Sequence, residues 1–96
     1  MDLGTTIKNI RNQKKLTQQK LAALSGITQT YLSQIEGNLK DPNLATLKDI
    51  SNVLNVPLPI IFFLSIRKDD VPPHKREAFE IVNPSIQSLV NEFFAV

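Results

Sequence analysis

Apolar residues recur along this chain at three- and four-residue intervals, in short blocks separated by polar turns, and the blocks read as helices. Leu3, Ile7 and Ile10 lie on one stripe and predict a first helix from about Thr5 to Lys14. Leu21, Ala22, Leu24, Ile27, Tyr31, Leu32 and Ile35 predict two short helices within Thr17 to Glu36, joined at Ser25-Gly26-Ile27 and each burying one face. Thr17 and Thr28 are placed to cap these helices through their hydroxyls, and Gly26 to take the positive φ of a sharp helix exit. A loop, Lys40-Asp41-Pro42, leads to Asn43 as the cap of a fourth helix carrying Leu44, Leu47, Ile50, Val53 and Leu54, and the chain turns again at Asn55. Leu58 to Leu64 then reads as a fifth helix that is apolar all round. Such a helix must be covered on more than one side, here by a second copy of the chain or by residues 71–96.

Ile66 to Pro73 has the charge run and prolines of a boundary. Beyond it Ala78, Phe79, Ile81 and Val82 predict one helical piece. Asn83-Pro84 is expected to end it and to open a last helix with Ile86, Leu89, Val90 and Phe93 on its stripe. The expected architecture is therefore all-α, with five helices in residues 1–66 and a short helical extension in residues 67–96. Ile60, Phe63, Leu64, Leu89 and Phe93 are the expected dimerisation residues.

The polar side of the third helix is uncharged: Gln29, Thr30, Ser33 and Gln34, with Thr28 at its start. Long amides on the exposed N-terminal part of a helix can pair with adenine N6 and N7 in a major groove. From Gly4 through Ile61 the chain resembles the DNA-binding domain of phage repressor and Cro type (Xre-like) regulators. Ile10-Arg11, Thr17-Gln18, Leu21-Ala22, Gly26-Ile27, Leu32-Ser33, Ile35-Glu36-Gly37 and Asn38 to Pro42 are in register with it. The likeness covers about three fifths of the chain.

The resemblance implies a five-helix, lambda-repressor-like helix-turn-helix domain. It implies that Arg11 reaches Glu36, that Gln29, Thr30 and Gln34 face bases with Ser33 beside them, and that Thr28 lies nearer the DNA backbone. It implies Gln18 as a phosphate contact. Lys15, Lys20, Lys40 and the amides around Gly37 and Asn38 are the remaining phosphate candidates. Lys20 departs from the family pattern, in which a glutamate there completes a capping box. A lysine in the first turn opposes the helix dipole at a cost of about 0.3–1 kcal/mol, which fits a position spent on phosphate affinity.

Charge distribution agrees with this division. Residues 1–68 hold nine Lys and Arg against four Asp and Glu, a net +5; residues 69–96 hold two against five, a net −3. The first part is expected to meet a polyanion and the second is not. No apolar run approaches the roughly 18 residues of a membrane span, and MDLGTTIKNIRNQKK has no apolar core of a secretory signal, so a cytoplasmic protein is expected. The absence of cysteine excludes disulfides, thiolate metal sites and cysteine nucleophiles. His74, the single histidine, stands beside Pro73 without a matched acid or nucleophile, so neither catalysis, a metal site nor a cofactor is indicated. The expected function is a sequence-specific regulator that binds double-stranded DNA as a homodimer on a pseudo-palindromic operator, in the manner of a repressor. The alternative is a protein-binding module, such as an antitoxin that holds a partner protein through the C-terminal segment.

Overall fold

Side-chain caps start four of the helices. A computed structural model describes residues 1–94 and contains α1 (Leu3–Gln13), α2 (Gln18–Ser25), α3 (Gln29–Glu36), α4 (Leu44–Leu54), α5 (Leu58–Leu64) and α6 (Arg76–Phe94), with short 3-10 turns at Lys68–Asp70 and Pro73–Lys75. Thr17 accepts from the Lys20 N–H at 3.1 Å, Thr28 from Tyr31 at 3.0 Å and Asn43 from Thr46 at 2.8 Å, as the sequence predicts. Asp2 does the same for α1 through the Thr5 N–H at 3.1 Å, which moves the start of that helix from Thr5 back to Leu3. Gly26 closes α2 at φ 74°, and Asn55 closes α4 in the same left-handed region at φ 58°. α5 has no side-chain cap. Pro59 stands in its first turn, where its missing N–H costs nothing.

The core is a single cluster drawn from all five of these helices. Ile7 and Ile10 of α1, Leu21 and Ala22 of α2, Leu32 and Ile35 of α3, Leu47, Ile50 and Leu54 of α4, and Ile61 of α5 are buried in it, with Val56. Leu3, Ile27, Tyr31 and Val53 pack on its edge. Two expected stripe residues face outward: Leu24 is 54% and Leu44 55% exposed. Each stands at the margin of its helix's apolar arc, where a short helix has no neighbour to cover it.

The ends of α1, α3 and α5 meet in one polar cluster. Asn38, just past α3, accepts from the Gly4 N–H at 3.0 Å and donates to Asp2 Oδ1 at 2.6 Å, while the Asp2 N–H donates to the Ser65 carbonyl at 2.9 Å. Gly4 lies so close to α3 that a Cβ there would collide with the Ile35 carbonyl and come within 2.7 Å of the Glu36 carbonyl. Only glycine lets the positive end of α1 approach the carbonyl end of α3 in this way.

The extension departs from the expected two pieces. α6 runs unbroken through Asn83-Pro84 for 19 residues. Pro84 is exposed, and loss of its N–H frees one carbonyl on a side of the helix that water can reach. Val90 and Phe94 lean on the core edge, and the Lys14 ammonium donates to the Phe94 carbonyl at 3.3 Å. α6 thus lies along α1 and α5 of its own chain, and yet none of its described residues is fully buried.

The Asp2 carboxyl is held below its ordinary 3.8 by donation from Asn38 first and from the Thr5 backbone second. A depressed carboxyl contributes stability that is present above its unfolded-state value and is lost as pH falls through the folded value. Asp2→Ala should therefore lower stability at neutral pH by about 1 kcal/mol, the usual worth of an N-cap. In urea unfolding curves the gap to the wild type should close as the pH is taken below the carboxylate range.

Candidate nucleic-acid interface

Burial of α3 against α1 and α2 leaves its other side to solvent. Thr28, Gln29, Thr30 and Ser33 are exposed and Gln34 is half-buried. With Gln18 from the start of α2, the residues Gln29, Thr30, Ser33 and Gln34 line one open concavity. All five side chains in it are uncharged and offer both donors and acceptors, so the surface can read hydrogen-bonding patterns without preferring charge.

This surface is braced from behind by a buried ion pair. Arg11 meets Glu36 in a forked contact, Nε to Oε2 at 2.8 Å and Nη2 to Oε1 at 3.0 Å, with the two side chains only 9% and 2% exposed. The third arm of the guanidinium, Nη1, donates to the Leu16 carbonyl at 2.9 Å in the turn that leads into α2. Gln18 completes the group by donating Nε2 to Glu36 Oε1 at 3.0 Å. One carboxylate therefore fixes α1, the entry to α2 and the end of α3 together, and it anchors Gln18 by its amide nitrogen.

The expected phosphate contacts fall into two groups. Lys15, Lys20 and Lys40 are exposed, with Lys15 in the left-handed region at φ 59°. The N–H groups of Gln18 and Gln19 precede the first α2 hydrogen bond, from Leu21 N–H to the Thr17 carbonyl, and stand at the positive end of the helix beside Lys20. On the far side the amides are engaged within the protein. The N–H groups of Gly37, Asn38, Leu39 and Lys40 are all bonded to carbonyls of α3, and the Asn38 side chain is engaged with Gly4 and Asp2. A helix exit must satisfy its last carbonyls, and these amides do so. Asn38 holds the helix end, which leaves Lys40 as the exposed cation there. Sequence reasoning missed Asp2 as its partner, although an Asp three residues before a capped N–H is a recognisable start signal.

Two helices of eight residues each, joined by a glycine in the left-handed region, with the second exposing a polar face, form a helix-turn-helix. A family model described as helix-turn-helix matches residues 7–61. The chain belongs to the helix-turn-helix family. It is 36% identical over 61 residues to the immunity repressor protein of Bacillus phage phi105, covering 64% of this chain and 42% of that one. It is 42% identical over 55 residues to the HTH-type transcriptional regulator SutR of Escherichia coli strain K12, covering 57% and 31%. The chain spans less than half the length of either relative. Among solved structures it is similar to that of SinR, a master regulator for biofilm formation, in complex with DNA: TM-score 0.60 at 34% identity, covering 62% of this chain and 97% of that one.

Truncating one member of the buried pair should expose how much of this helix-turn-helix rests on it. Glu36→Ala leaves the Arg11 charge buried and unpaired, and should cost about 3–5 kcal/mol in denaturant unfolding. Replacing both residues by apolar side chains of similar volume should restore most of that stability.

Proposed function

We propose that this chain reads double-stranded DNA by laying α3 in the major groove and acts as a transcriptional regulator of the repressor kind, as a homodimer on a pseudo-palindromic site. The observation that carries this reading is the uncharged concavity of Gln18, Gln29, Thr30, Ser33 and Gln34, held on a helix that a buried ion pair fixes in place. Gln29, Thr30 and Gln34 are the base readers, with Ser33 beside them; a bidentate amide on adenine supplies about 1–3 kcal/mol of discrimination. Gln18, Thr28, Lys15, Lys20 and Lys40 meet the phosphates on either side. Support comes also from the relatives, one named an immunity repressor and another a transcriptional regulator, and from the DNA-bound state of SinR.

Residues 1–66 form the DNA-reading unit and residues 67–96 the dimerising extension in this proposal. No single described helix is long and apolar enough to cross a membrane, and a cytoplasmic setting suits the function. A second reading, a module that binds a partner protein through the extension as an antitoxin does, is favoured by the outward apolar side of α6. A stoichiometric partner that co-purifies with the untagged chain would support it.

Selection from a random duplex pool should enrich a two-fold symmetric motif. Gln29→Ala should then weaken the selected duplex by about 1–3 kcal/mol and relax the preference at one base pair of each half-site. Lys20→Glu should weaken selected and unrelated duplexes alike and reduce the dependence of binding on salt. If the pool yields no motif, DNA reading by this surface is refuted.

A further inference from the structure

We propose that the outward side of α6 is the surface through which two copies of this chain pair, with the two α6 helices antiparallel about an axis that passes beside Ser85 and Ile86. This inference rests on the dimeric reading above and supplies its geometry.

α6 carries one broad apolar side that is only partly covered. Val90 and Phe94 pack on the core edge, and Phe79 is half-buried beside Phe63. Ala78, Val82, Leu89 and Phe93 adjoin them and are exposed, the last three 48%, 55% and 79%. At 3.6 residues per turn these four positions fall within an arc of roughly 60°, so they form one continuous strip. An apolar strip left open on a helix of this length requires a second cover.

The spacing on the strip selects a second copy as that cover. Ala78 and Phe93 are equidistant in sequence from the midpoint between Ser85 and Ile86, and so are Val82 and Leu89. Two antiparallel copies centred there bring Ala78 of one against Phe93 of the other, and Val82 against Leu89. Each contact pairs a smaller residue with a larger one, which is how facing helix layers interdigitate without voids. A parallel pair would set Phe93 on Phe93 at one end and Ala78 on Ala78 at the other, crowding the first and leaving a gap at the second.

Two further features agree. An apolar groove opens beside Ala78, walled by Phe63, Ile66, Val71, Phe79 and Val82. Phe93 of the second copy would stand at its mouth, and Phe63, expected from the sequence to serve dimerisation, lines it. The helix dipole also favours reversal: an antiparallel pair places unlike ends of the two helices together, and a parallel pair places like ends together. A strip whose size pattern complements itself on reversal is built for its own copy.

The chain has no cysteine, so introduced thiols can report this register in the full-length protein. Ser85→Cys lies beside the axis and should form a disulfide-linked dimer on mild oxidation. Val82→Cys alone should not, because two copies of residue 82 are offset by about 10 Å along the helices, whereas the pair Val82→Cys and Leu89→Cys in one chain should link efficiently. Cross-linking by Val82→Cys alone, as in a parallel pair, or by none of the three, would overturn the proposal. Phe93→Glu should raise the dimer dissociation constant at least tenfold in sedimentation while helix content stays constant, since the side chain is exposed in the single chain. An unchanged dimer would also overturn it. Selected duplex binding separates the two readings: cross-links in the expected pattern without any enriched motif would remove the DNA function and keep the interface, and an enriched motif without cross-links would do the reverse.

Discussion

The position of α3 depends on the Arg11–Glu36 ion pair. Each of the two eight-residue helices of the motif contributes only two buried apolar side chains to the core, Leu21 and Ala22 from α2 and Leu32 and Ile35 from α3, too few to fix its rotation about its own axis. Glu36 sits at the end of α3, where the helix dipole already disfavours a negative charge and where burial removes its water. It is stable there only while the Arg11 fork and the Gln18 amide are aligned with it. Apolar contacts tolerate small rotations, but a forked pair of hydrogen bonds does not. The pair thus converts a loosely specified helix contact into a defined angle, which a surface that discriminates donors from acceptors requires.

A second constraint acts at the same end of α3. Gly4 lets the start of α1 come close to the last carbonyls of α3, and Asn38 links the two by bonding both Gly4 and Asp2. Because Asp2 also donates to Ser65, the exit of α5 is tied to the same point. The extension therefore leaves the five-helix unit from an anchored position.

Most of the five-helix unit was legible because its signals are local. A threonine or asparagine followed by a helical stripe fixes a helix start, and a glycine at φ 74° fixes the turn between α2 and α3. The Arg11–Glu36 contact was available only through resemblance, since nothing local connects residues 25 positions apart. What failed has a common cause. Leu24 and Leu44 were assigned inward by periodicity, but which edge of an apolar arc is covered depends on where neighbouring helices lie. Asn83-Pro84 was read as a break because the residue before a proline disfavours the helical region and proline suits the first turn of a new helix, whereas on the exposed side of α6 the cost falls on a carbonyl that water can satisfy. The intramolecular partners of the Asn38 side chain, Gly4 and Asp2, were not legible either, because they are brought to it only by tertiary packing.

In the proposed function charge and recognition are separated on this surface, and the separation has a mechanical reading. α3 carries no Lys or Arg, and the exposed cations Lys15, Lys20 and Lys40 stand on segments before and after it. Phosphate contacts of that kind would hold the helix over any sequence with equal strength, since they carry no base information. Discrimination is then left to neutral amides and hydroxyls, whose unpaired donors and acceptors are costly against the wrong base and whose attraction in its absence is small. A lysine on α3 would raise affinity for every duplex and narrow the gap between right and wrong ones. The net −3 of residues 69–96 would act in the same direction, because an acidic extension on the α1 and α5 side would be repelled by a polyanion and would leave α3 as the side that approaches it.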